Sequence, residues 1–211
     1  MQTETVNKLP QDTEAKILQA AEREFMAKGF AGARTISIAQ AAGVTHAMFH
    51  YYFRTKEKLF DRILTEKVTL LRDALITPVM DTELSLEDII RGIIDRHLDF
   101  IAANPDLPRF IITELYNNPQ RSATFVEKLR IYAPLMLSGL QQKIDEAHAE
   151  GRCRKVDAGW LMLDIASLNI FSYLAYPVIN GIFDNCMDDS DTFTAMRKRD
   201  NYDTIMRKLK P

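Results

Sequence analysis

His46, Ala47, His50 and Tyr51 are spaced so that, at about 100° per residue, they share one side of a helix. Phe49, Tyr52 and Phe53 share the other. The second side can pack. The first offers two imidazoles, a phenol and a methyl group, the kinds of group that read base edges in a DNA major groove from the early turns of a helix. Between Lys28 and Lys58 the chain holds five bases (Lys28, Arg34, Arg54, Lys56, Lys58) against one acid, Glu57. Residues 68–211 hold 17 bases and 21 acids. A locally basic third on an acidic body suits a polyanion met by one end of the molecule. The same pattern also fits the solvated face of an ordinary helical hairpin.

Other chemistry finds little support. No G-x-x-x-x-G-K, G-x-S-x-G, H-E-x-x-H or dinucleotide glycine fingerprint occurs, so no catalytic residue and no cofactor is expected. His97 lies on an apolar stripe with Ile90, Ile93, Ile94 and Ile101. It reads as a core histidine or as a polar anchor in a ligand pocket. No second His or Cys stands at helical ligand spacing, so no metal site is expected. Cys153 lies beside Arg152, Arg154 and Lys155, which would lower a thiol pKa, but nothing supports Cys186 as its resolving partner.

The elements that must position these residues are helical almost throughout. The 211 residues, 46% hydrophobic and 27% charged, allow one domain or a small one joined to a larger one. Eight glycines argue against a turn-rich β-sandwich. Ile17, Ala21 and Phe25 repeat at helical spacing, and Gly29 stops that helix. A short helix from Ile36 to Ala42 follows. Gly43-Val44-Thr45 is a three-residue turn, and Thr45 caps a third helix from His46 to about Phe53. A fourth runs from Lys56 to about Ile76, stopped by Pro78. Ser85 opens a helix that ends at Asn104-Pro105. A short helix covers Leu107–Tyr116, and a long one runs Ser122–Glu150, kinked at Pro134. An apolar helix covers Asp157–Tyr176, and a last one Asp191–Leu209. The N-terminus lacks the pattern of a signal peptide. The apolar stretch from Leu161 is interrupted by Asp164, Ser167 and Asn169, which favours a buried helix over a membrane span. A cytoplasmic location is expected.

Ile17-Leu18-Gln19-Ala20-Ala21, Gly29-Phe30, Ile38-Ala39-Gln40-Ala41-Ala42-Gly43-Val44-Thr45 and Tyr52-Phe53-Arg54-Thr55-Lys56-Glu57-Lys58-Leu59-Phe60 resemble the N-terminal domain of TetR-family transcriptional regulators. The resemblance implies an all-α homodimer, probing double-stranded operator DNA with a helix-turn-helix over 13–60. An arm over 1–12 would precede it, and a helical ligand-binding and dimerisation domain over 61–211 would follow. It carries phosphate-contact roles onto Thr45, Tyr51 and Lys56, and Arg34, Thr35, His46, Ala47 and His50 complete the DNA-binding residues expected. The chain departs from the family at Ala33-Arg34, Ala47 and His50, where Thr-Thr, Gly and Tyr are common. The resemblance also implies a ligand pocket among the middle helices, assigned to His97, Phe100, Phe110, Tyr132, Met136 and Phe171, and such an apolar cavity suits a small hydrophobic or aromatic effector. Dimer contacts fall on Leu161, Ile165, Leu168, Phe171 and Met206. The function expected is a ligand-responsive repressor binding a pseudo-palindromic site. A helical small-molecule carrier or enzyme with a vestigial helix-turn-helix is the other class.

Overall fold

The structure, a computed structural model, describes residues 8–182 and 189–211; Cys186 lies outside them. Among the described residues the order is α1 (Lys8–Gly32), α2 (Thr35–Ala41), α3 (His46–Phe53), α4 (Lys56–Met80), α5 (Leu86–Ala103), α6 (Leu107–Asn117), α7 (Pro119–Arg130), α8 (Ala133–Ala149), α9 (Ala158–Ile182) and α10 (Ser190–Leu209), with no strand. The all-α expectation holds. Two compact units form: Met1–Lys67 with Ile112–Ser122, and Val68–Ile111 with Ala123–Pro211. The first unit thus extends past residue 60 along α4 and takes in the second half of α6, which sequence alone assigned to the larger domain.

In the first unit, Ile17, Ala21 and Phe25 of α1 are buried with Ile38, Phe49 and Leu59. Phe25, Phe30 and Phe60 form an aromatic cluster with centroids 5.1–5.8 Å apart. Gly29 breaks α1 as anticipated: its φ of 68° and ψ of 172° interrupt a helix that resumes for one further turn to Gly32.

The second unit is built around α5. Its inner face buries Leu86, Ile89, Ile90, Ile93, Ile94, His97, Leu98 and Ile101, and it packs against α8, α9 and α10. Ser85 caps it, accepting the Asp88 amide at 3.1 Å. Three element boundaries differ from expectation. α4 continues through Pro78 to Met80. The proline ring is held against α5, where a Cβ on Gly92 would come within 3.0 Å of it. The expected long helix is two, α7 and α8. Pro134 stands in the first turn of α8, where its missing amide costs no helical bond. α9 passes Pro177, because Tyr173 and Tyr176 fix that turn to Phe193 of α10 at centroid distances of 5.5 and 4.6 Å.

By length and composition α9 could cross a membrane, yet its polar groups are engaged by protein. Asn169, fully buried, donates to the Ile94 carbonyl and to His97 Nδ1, and accepts from Asn201 at 2.7 Å. Asn201 in turn accepts from Arg197. Asp164 pairs with Lys208.

Candidate nucleic-acid interface

The reading head begins with a turn. Gly43 has a φ of 69°, and the amides of Gly43 and Val44 donate to Gln40 and Ala39 carbonyls at 3.1 and 3.0 Å. Thr45 then caps α3, its hydroxyl accepting the Met48 amide at 3.2 Å. Phe49 and Phe53 are buried and fasten α3 to the unit. That packing turns Thr45, His46, Ala47, His50 and Tyr51 outward, all exposed, with Tyr51 at 81%. The face anticipated from residue spacing therefore exists. Arg34 is exposed beside it, its backbone amide on Glu24 at 3.3 Å. Thr35 is half-buried and bridges to His46 Nε2 at 3.0 Å, so α2 and α3 are tied at their first turns. The rings of His46 and His50 meet edge to face at 4.4 Å.

Lys56 departs from expectation. Its ammonium donates to the carbonyls of Phe30 and Ala33 at 2.8 and 3.0 Å and lies 4.4 Å over the Phe30 ring. Two of three N–H groups are committed to satisfying the end of α1, so Lys56 is first a staple inside the unit rather than a free phosphate ligand.

Glu114 and Arg121 were not anticipated. The Glu114 carboxylate, buried, accepts the Phe30 amide at 2.9 Å and the Arg121 guanidinium at 2.6 Å. Arg121 stacks 3.6 Å over Phe30. The sequence did hold a signal: Leu107, Phe110 and Glu114 recur at helical spacing and all three are buried. Ile36 and Met48, exposed at 56% and 41%, were also passed over. Both can meet thymine methyl groups.

Two of the expected effector residues depart from the pocket reading. His97 is a core histidine whose hydrogen bond goes to Asn169, correcting the pocket-anchor reading, and burial pushes its imidazole down to about 4. Phe171 is 68% exposed and lines no interior space of this chain, another correction. Phe110 is buried; Phe100, Tyr132 and Met136 are half-buried, with Arg72 lying 4.9 Å over Tyr132. A cleft of about 450 Å³ lies in the first unit, between α1 and the turn after α2, and none of these residues lines it. Among the dimer contacts, Leu161 and Ile165 are fully buried in their own subunit's core, which removes them from any surface; Leu168 and Met206 are half-buried against that core. Trp160, Leu163, Phe171, Val178 and Ile182 are the exposed apolar residues of α9. The Cys153 thiol is buried, donates to the Ile144 carbonyl and is pushed up by burial, opposite to the effect read from its basic neighbours. No cluster of metal-ligating side chains occurs among the described residues.

Residues 17–63 match the model of bacterial regulatory proteins of the tetR family. The chain is 37% identical over 105 residues to the HTH-type transcriptional repressor SCO4008 of Streptomyces coelicolor, covering 50% of each protein. It therefore spans about half the length of that relative. Among solved structures it resembles the Bacillus subtilis regulator FadR in complex with stearoyl-CoA, at a TM-score of 0.67 and 18% identity, covering 92% of this chain and 98% of that one. PfmR of Thermus thermophilus matches at 0.67 and 16%, covering 92% and 99%. These likenesses extend the fold to both units. The family match falls on the stretch that holds α2, the Gly43 turn and α3, so residues 17–63 carry the N-terminal domain of the tetR family of bacterial regulatory proteins.

Proposed function

We propose that the protein is a homodimeric transcriptional repressor that places α3 of each subunit in successive major grooves of a pseudo-palindromic operator and lets go when a small apolar effector binds the second unit. The observation that carries this is the outward face of α3: Thr45, His46, Ala47, His50 and Tyr51 exposed on a helix held from behind by Phe49 and Phe53. The repressor role of SCO4008 and the acyl-CoA complex of FadR support the reading. The apolar stripe of α9 supports the dimer, since several large apolar side chains left in water on one helix call for a partner. Phe100, Phe110, Tyr132 and Met136 remain the pocket candidates.

The effector must favour the DNA-incompetent state; one with equal affinity for both states shifts nothing. A tenfold loss of operator affinity needs about 1.4 kcal/mol of coupling. The test is a gel shift and footprint on the DNA upstream of the protein's own gene. A salt-sensitive complex protecting two half-sites about one helical turn apart is expected. Retardation that unrelated competitor DNA abolishes equally well would overturn the reading.

A further inference from the structure

His50 stands where family members commonly carry tyrosine, and the structure fixes which of its nitrogens carries the proton. α3 ends in a tight γ-turn: Arg54 has φ 57° and ψ −50°, and the Thr55 amide reaches the Phe53 carbonyl at 2.5 Å. Residues 50 and 54 are then joined twice. The Arg54 amide donates to the His50 carbonyl at 3.1 Å, and His50 Nδ1 lies 2.8 Å from the Arg54 carbonyl oxygen. A carbonyl oxygen can only accept, so Nδ1 is the protonated nitrogen. In the neutral ring Nε2 is therefore a bare acceptor. The His46 and Phe49 rings stand nearly perpendicular to the imidazole, at centroid distances of 4.4 and 5.4 Å, and restrain its plane; the side chain is exposed on the outward face of α3.

In the major groove, adenine N6 and cytosine N4 are donors, whereas guanine O6 and N7 and thymine O4 only accept. We propose that His50 is a specificity-determining residue that accepts a hydrogen bond at Nε2 from an exocyclic amino group, adenine N6 or cytosine N4, of one operator base in each half-site. This rests on the DNA-binding reading above. His50 does not choose between adenine and cytosine. It chooses the strand on which the amino group stands, and rejects guanine or thymine at that place.

The test uses the full chain and a duplex library with a randomised centre, selected at about pH 8. The selected motif is then rebuilt with purine or 2-pyrimidinone nucleotides, which lack the amino group, one position at a time. At one position per half-site, removing the amino group should weaken wild-type binding about fivefold, the worth of one ordinary hydrogen bond, and leave His50→Ala binding unchanged. His50→Arg should turn the same position to guanine, because a guanidinium donates to O6 and N7. Equal loss for wild type and His50→Ala at every position, with a motif intact in both, overturns the role of His50 alone. A wild-type protein that enriches no motif overturns the DNA-binding reading with it.

Discussion

The Glu114 carboxylate accepts the backbone amide of Phe30 at 2.9 Å, across 84 residues of sequence. The bond falls next to the left-handed Gly29, where a Cβ would stand 3.3 Å from Glu114 Oε1. Glu114→Ala leaves a buried amide unsatisfied and Arg121 without its anion, an expected loss of about 2–4 kcal/mol. Glu114→Gln keeps an acceptor for the amide and should lose about half as much. Urea titration of both variants checks this; equal stabilities would show that the ion pair contributes nothing.

Lys56 and Arg34 should separate cleanly. Lys56→Met removes the donors from the Phe30 and Ala33 carbonyls and should cost about 1–3 kcal/mol of stability. Arg34→Ala should leave stability within about 0.5 kcal/mol and flatten the log–log salt dependence of DNA binding by about one unit. Thermal melts and binding at several salt concentrations decide it. A Lys56→Met protein that melts like wild type would return that lysine to the phosphates.

His97 makes the second unit acid-sensitive. Burial holds its folded pKa at about 4, below the ordinary imidazole value of 6.5, so as pH falls from 6.5 to 4 the unfolded chain takes up a proton that the folded chain refuses. Stability is then lost over that window by roughly 3 kcal/mol at most. His97→Gln should remove this slope, and the difference between the two proteins isolates it from other titrating groups. Parallel stability curves would contradict the assignment.

For assembly, Phe171→Asp and Leu163→Asp should give soluble, folded monomers, because both side chains already face outward, at 68% and 52% exposure. Leu161→Asp should unfold the chain instead, since it places a charge in the core of α5 and α9. Light scattering with circular dichroism distinguishes the two. A dimeric Phe171→Asp Leu163→Asp double variant would move the interface elsewhere.

Local signals carried most of the architecture. The reading head was visible because a glycine turn, a threonine cap and an aromatic packing face occur within a few residues of each other. Burial on α9 was not, because that helix is apolar around its circumference and periodicity cannot say which side meets its own subunit. Leu161 and Ile165 were misplaced for that reason. The staple made by Lys56 was not legible because its carbonyl partners, Phe30 in the last turn of α1 and Ala33 just beyond it, lie 26 and 23 residues away. The Asn169–His97 bond spans 72 residues, and nothing local announces it.

The first unit is written in two separate stretches of the chain, up to Lys67 and then Ile112–Ser122. Its reading head is consequently not a cassette. A fragment ending after α4 would keep Phe30 and Phe60 but lack the glutamate and arginine that complete their surroundings. Grafting this head onto another effector domain by a single crossover would do the same, and would mismatch the recipient's own α6. A working chimera needs a second splice that carries residues 112–122 along, so this head is inherited through two pieces of gene rather than one.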